Sequence, residues 1–213
     1  MSRIRVAMVV IDIGTLAAAR APAMLGRRPE HRSRDTRPSV AVARVTFYGG
    51  AMPVELRRLA LGDVDAVHDW ACLPESCRYQ AWGPNTYEQT LVYVQAAVTG
   101  GADRFVFAVI VDGAVVGSAE LKLRGRTTAE IAYGVHPRMW GQGIATAAAR
   151  ELLRIGFSEH GRHRIFGTCD PRNLGSAAVL RKVGMRYEGR MRGTAYIRDG
   201  WRDSDLYARL VDD

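Results

Sequence analysis

From residue 54 onward, apolar and polar positions follow one another in short blocks whose period switches between two and about 3.6. Residues 54–61 alternate as a strand, and Gly62-Asp63 opens a helix that runs through Trp70. Thr86-Tyr-Glu-Gln89 has the spacing of a capping box: the Thr86 hydroxyl accepts from the third helical amide while Gln89 reaches back. It predicts a helix towards Thr99, stopped by Gly100-Gly101. Residues 104–111 and 115–123 are β runs joined at Asp112-Gly113, a strong hairpin pair, and residues 127–135 add a third antiparallel strand. A long helix over 141–158, a strand over 164–169, a helix over 173–183 and strands near 185–191 and 201–210 complete the pattern. The order predicts an α+β fold, a mixed-sheet α/β domain whose six to seven mostly antiparallel strands are flanked by helices.

The first 51 residues lack this regularity. Residues 26–39 are rich in Arg, Pro and Ser with almost no apolar content, so little offsets the entropy of ordering them. A basic, poorly structured extension over 1–51 and a catalytic domain over 52–213 are therefore expected. Charge divides the same way. The net +8 is concentrated in residues 1–44, which hold nine Arg against three acidic residues; the remainder carries only +2. That balance argues against nucleic acid as a partner of the domain and leaves it suited to an anionic small ligand. No apolar run is long enough for a membrane span, and Asp12 interrupts the leader-like apolar stretch that starts after Arg3 and Arg5. Cys72, Cys77 and Cys169 have no metal-ligand spacing and are expected as free thiols of a cytoplasmic protein, with no metal.

Chemistry concentrates at the junction of the third meander strand and the long helix, Val135-His-Pro-Arg-Met-Trp-Gly-Gln-Gly-Ile-Ala-Thr146. Pro137 ends the strand ladder, and Gly141 and Gly143 allow a tight turn that leaves the amides of Gly141, Gln142, Gly143, Ile144 and Ala145 at a helix N-terminus. Unpaired donors and the positive end of the helix dipole suit a pyrophosphate. Alone, the R-x-x-G-x-G spacing is weak evidence and better fits a Gly-rich helix start that packs tightly. The dinucleotide fingerprint is excluded, because the preceding strand belongs to an antiparallel meander and the glycine spacing is one short.

With its neighbours, Arg138 to Gly143 resembles the acetyl-CoA signature of the GNAT N-acetyltransferases. Tyr79-Gln-Ala-Trp-Gly-Pro84, Asn173-x-x-Ser176, Leu180-Arg-Lys-Val-Gly184, Glu188-Gly189 and Asp199-Gly-Trp-Arg-Asp-Ser-Asp-Leu-Tyr207 are similar to the RimJ/RimL-type subgroup. Ala132 stands where the subgroup commonly has Gly, and Met185 where it has Phe. The resemblance implies the GNAT acyl-CoA N-acyltransferase fold, with acetyl-CoA as co-substrate and a primary amine as acceptor. The acceptor is a protein N-terminal α-amine, as of a ribosomal protein, or a small amine such as a polyamine or an aminoglycoside-like molecule; a non-catalytic CoA-binding module is the alternative, and a homodimer is left open.

The resemblance also implies residue roles. The strand from Glu130 to Val135 splays from the strand after the long helix, and backbone groups near Tyr133 and Val135 bond the pantetheine arm. Arg138, Gly141, Gln142, Gly143, Ile144 and Ala145 form the phosphate loop. Asn173 lies against the pantetheine, and Ser176 near the departing thiolate as general acid; independently, Asn173 is also a good N-cap. For a base that deprotonates the incoming amine, Glu130 and Glu120 on the central strands are the candidates, with Glu188 further on. Trp70, Tyr79 and Trp82 are expected to wall the acceptor site, though each aromatic also suits a core.

Overall fold

The computed structural model describes residues 53–198 and 200–213. The expected N-terminal extension lies outside the described residues, as does Asp199. Seven strands form one sheet: β1 (Val54–Arg58), β2 (Arg104–Val111), β3 (Ala114–Arg124), β4 (Thr128–Val135), β5 (Arg164–Cys169), β6 (Arg186–Ile197) and β7 (Gly200–Leu210). Their order across the sheet is β1-β2-β3-β4-β5-β7-β6. Every pairing is antiparallel except β4 with β5.

Among the described residues, five α-helices cover the sheet: α1 (Val64–Ala71), α2 (Pro74–Cys77), α3 (Tyr87–Thr99), α4 (Ile144–Arg154) and α5 (Leu174–Lys182). Their amphipathic spacing explains the layers. α1 buries Val64, Val67, Trp70 and Ala71, and α4 buries Ile144, Ala148, Ala149, Leu152 and Leu153. Strand alternation assigns the faces. On β3 and β4, Ser118, Glu120 and Lys122 lie opposite Gly134, Ala132 and Glu130 and share one face, the side of α1 and α3. Leu121, Ile131 and Tyr133 take the other face, beneath α4 and α5, where all three are fully buried.

The Thr86–Gln89 box forms in both directions, with Gln89 N donating to Thr86 Oγ1 (3.3 Å) and Thr86 N to Gln89 Oε1 (2.9 Å). Several boundaries differ from the sequence pattern. β1 stops at Arg58, and the first helix is entered through a 3-10 turn, Leu61–Asp63, because Asp63 is held by Arg57 (2.7 Å) and by the Ala60 amide (2.9 Å). The helix expected over 141–158 begins at Ile144 and widens after Arg154 into a π turn, Ile155–Glu159. Gly156 sits in that turn against the Ile165 side chain, and a Cβ there would come within 2.4 Å of Ile165 Cδ1. α2 was not expected, and β6 continues six residues beyond Met191. Among the described residues no helix is long and apolar enough to cross a membrane.

Candidate active site

β4 and β5 pair over only three positions, Thr128 with Arg164, Ala129 with Ile165 and Glu130 with Phe166. Beyond Glu130 they part, although β4 continues to Val135 and β5 to Cys169. A wedge-shaped gap therefore opens in the middle of the sheet. His136 N donates to Val116 O across β3 (2.7 Å), so the alternate residues Ala132 and Gly134 also turn their backbone towards β3. Tyr133 and Val135 turn theirs into the gap. The Val135 carbonyl is partly used, since Trp140 Nε1 donates to it at 2.7 Å.

At the wide end of the gap the chain bends through the short 3-10 turn Pro137–Met139 into α4. Gly141 and Gly143 have φ of 81° and 83°, which side-chain-bearing residues rarely adopt, and a Cβ at either would meet nothing within 4 Å. The bend is open rather than filled. The first helical bond runs from Ala147 N to Gly143 O (3.0 Å), which leaves the amides of Ile144, Ala145 and Thr146 at the helix end. A pocket of about 60 Å³ lies here, lined by Val135, Trp140, Gly141, Gly143 and Ile144 and, from α5, by Gly175 and Val179. Arg138 does not point into it. Its guanidinium bonds Asp69 of α1 (2.8 Å) and contacts the His136 ring (3.1 Å), while its backbone amide donates to His136 Nδ1 (3.0 Å). Burial, with Arg138 close by, pushes the His136 pKa down.

Asn173 and Ser176 lie where β5 passes into α5, both buried. Asn173 Oδ1 accepts from Ser176 N at 3.1 Å, a true N-cap. The Ser176 hydroxyl is 3.4 Å from the Tyr133 hydroxyl, which also reaches Ser176 O at 3.3 Å. Burial pushes the Tyr133 pKa upward, so this phenol keeps its proton. Cys169, at the end of β5, is fully buried and its thiol is pushed up to about 12 by burial; it is inert near neutrality.

On the opposite face of the sheet the gap opens onto a cavity of about 1240 Å³. α3 and the segment before it form one wall through Trp82, Gly83, Asn85 and Tyr93. Strand residues Arg104, Lys122, Arg124, Glu130, Phe166 and Thr168 form the floor, and Met191, Thr194, Ala195 and Tyr196 of β6 the far wall. The two acidic candidates both carry arginine partners. Arg104 holds Glu120 bidentately (2.8 and 3.0 Å), and Arg124 Nε bonds Glu130 at 2.9 Å. Of the pair, Glu130 lines the cavity, at the point where β4 and β5 diverge; Glu120 is buried beneath its arginine. Glu188 pairs with Arg164 (2.6 Å), which holds its pKa down, and does not line the cavity.

Of the three aromatic residues expected to wall the acceptor site, one reaches the cavity. Trp82 lines the cavity, and its indole N–H has no hydrogen-bond partner among the described residues. Trp70 is 1% exposed in the core, edge-on to Trp82. Tyr79 lies against the guanidinium groups of Arg78 and Arg172. Sequence reasoning missed Arg104, Lys122 and Arg124, although charged residues on the cavity face of otherwise apolar central strands were a signal. It had no means of finding the β6 wall.

The sheet is thus split beside a Gly-rich helix N-terminus, with a cavity on its other face. The model of the Acetyltransferase (GNAT) domain matches residues 54–186, and the chain belongs to this family of N-acetyltransferases. The uncharacterized N-acetyltransferase YnaD of Bacillus subtilis is 29% identical over 159 residues, 74% of this chain and 94% of that protein. The GNAT-family acetyltransferase from Bacillus anthracis has a crystal structure that aligns with a TM-score of 0.69 at 31% identity, covering 77% of this chain and 98% of that one. RimL, the ribosomal L7/L12 alpha-N-protein acetyltransferase solved with coenzyme A, shares the fold with a TM-score of 0.67 at 22% identity over 75% of this chain and 94% of its own.

Proposed function

We propose that this enzyme transfers the acetyl group of acetyl-CoA to a primary amine by direct attack, with the donor on the α4–α5 face and the acceptor in the large cavity. The observation that carries the reading is the parting of β4 and β5 after Glu130, between the open glycine bend and the cavity. The loop amides from Gly141 to Ala145 suit the pyrophosphate, while Arg138, tied to Asp69, acts by holding the bend rather than by touching phosphate. Backbone groups of Tyr133 and Val135 hold the pantetheine arm beside Asn173. In the reaction the amine nitrogen bonds to the thioester carbonyl carbon, the tetrahedral oxyanion collapses, and the carbon–sulfur bond breaks. Ser176 gives its proton to the departing thiolate. The amine's proton leaves on the cavity side through water next to Glu130, because both carboxylate candidates are bound to arginines and neither is a free base.

The acceptor is proposed to be the end of a peptide, a protein N-terminal α-amine. The cavity exceeds the ~300–1,000 Å³ of ordinary small-molecule pockets, and it extends from α3 across the central strands to β6. RimL, of the same fold, is a protein alpha-N-acetyltransferase. The test is release of free thiol from acetyl-CoA in the presence of heptapeptides beginning Ser, Ala, Met or Gly, and of spermidine. Peptide-dependent release with none from spermidine supports the reading; the reverse moves the acceptor to small amines. Calorimetric binding of CoA with no turnover of any probe would make the chain a CoA-binding module instead.

A further inference from the structure

β6 is the outermost strand of the sheet, paired with β7 alone, and its register slips between Met191 and Ala195. Backbone pairing to a single neighbour leaves the tip of the β6–β7 hairpin free to swing relative to the helices. Side chains at the tip oppose that, among them the buried Ile197. Arg198, in the turn between the two strands, extends its guanidinium across to the end of α2 and the segment that follows it. Nη1 donates to the carbonyls of Trp82 (3.1 Å) and Gly83 (2.7 Å), and Nη2 to the carbonyl of Cys77 (2.7 Å). The partners lie 115 to 121 positions away in the chain.

The two segments joined in this way are opposing walls of the large cavity, Trp82 and Gly83 on one side and Thr194, Ala195 and Tyr196 on the other. A guanidinium is suited to the task, because its donors are fixed in one plane and can satisfy several carbonyls at once. An ammonium in its place is a point charge without that fork. Tyr196, 61% exposed and edge-on to Trp201, stands at the rim, so any shift of the tip moves an aromatic group at the cavity's entrance.

We infer that Arg198 is a positioning residue for the acceptor: it fixes the separation of the two cavity walls and thereby the seat into which the amine-bearing molecule fits. This rests on the cavity being the acceptor site. The donor side lies on the other face of the sheet and is untouched by Arg198. Replacing Arg198 therefore weakens acceptor capture without altering donor capture.

The experiment uses the full chain and measures steady-state kinetics of Arg198→Ala and Arg198→Lys with the four heptapeptides, varying peptide and acetyl-CoA separately. Hydrogen exchange is followed over residues 77–85 and 191–205. Arg198→Ala is expected to raise the peptide KM about tenfold, the effect of losing one to two charge-assisted hydrogen bonds, with kcat and the acetyl-CoA KM within about twofold. Exchange should quicken in both segments and stay unchanged over residues 137–147. Arg198→Lys should fall between, and should carry the same split of KM from kcat if the alanine variant does not fold. An unchanged peptide KM in a folded variant whose hairpin exchanges faster overturns the inference alone. Absence of turnover with every peptide in the unaltered protein overturns the acceptor reading, and the inference with it.

Discussion

The contact between the Tyr133 and Ser176 hydroxyls ties two residues whose proposed roles differ in kind. Tyr133 keeps its proton because burial opposes its ionisation; its hydroxyl donates to the Ser176 carbonyl at 3.3 Å and lies 3.4 Å from the Ser176 hydroxyl. Ser176→Ala removes the proton donor itself, and turnover is expected to fall by about a hundredfold with CoA affinity nearly unchanged. Tyr133→Phe removes one hydrogen bond between neutral groups, and a loss of about fivefold is expected. Single-turnover kinetics alongside CoA calorimetry separate the two. His136 supplies a prediction in pH. Its Nδ1 accepts the Arg138 amide, and its Nε2 lies 3.3 Å from Arg138 Nε and 3.2 Å from Asp69. Because its folded pKa is lowered, the unfolded chain binds more protons between that value and about 6.5, and stability rises with pH through this window. Urea denaturation at pH 5 and pH 7 should show the folded state weaker at pH 5. His136→Gln should shrink that difference without abolishing it, since burial also lowers the His160 pKa.

At the scale of elements, β3 and β4 form the rigid half of the gap, and Gly117 determines how closely they approach. A Cβ there would come within 2.1 Å of Gly134 O and 2.9 Å of Val135 Cα, both backbone atoms that cannot move aside cheaply. Gly117→Ala is expected to cost about 3 kcal/mol and to push out the strand that carries Tyr133 and Val135; equilibrium unfolding measures the first effect and the acetyl-CoA KM the second. Sequence periodicity was a good guide where one face of an element is buried and the other is not. β5 was delimited residue for residue, and the Asp112-Gly113 turn forms with both residues at positive φ. It failed where that contrast is missing. α2 is four residues long, too short to show a period, and the extra length of β6 runs along an exposed edge with no alternation to mark it. The glycine bend and the Asn173–Ser176 turn were legible because they are local in sequence. Trp82 and Glu130 of the cavity were legible too, but the β6 wall was not, because it lies more than a hundred residues from the α2–α3 segment and is joined to it through backbone carbonyls.

For the molecule as a whole, three layers divide the work: α1 and α3 over the cavity face, the sheet, and α4 and α5 over the bend. The charge follows a different division. Residues 1–44 hold most of the net positive charge, whereas the family match begins at Val54 and the described residues that line both pockets all come later. Deleting residues 1–51 is therefore expected to leave CoA affinity and peptide turnover within about twofold of the full chain. A loss of turnover greater than tenfold in a variant that still binds CoA would assign the segment to the acceptor side.

One consequence of the alternation along β4 concerns where protons travel. Glu130 projects into the large cavity, while Tyr133 projects beneath α5 to Ser176. The sheet thus stands as a septum between the compartment that would collect the hydrogen shed by nitrogen and the compartment that would deliver one to sulfur. Each turnover would drain one reservoir and draw on the other, so relays on the two sides could be altered separately, and solvent deuterium should slow them by independent factors.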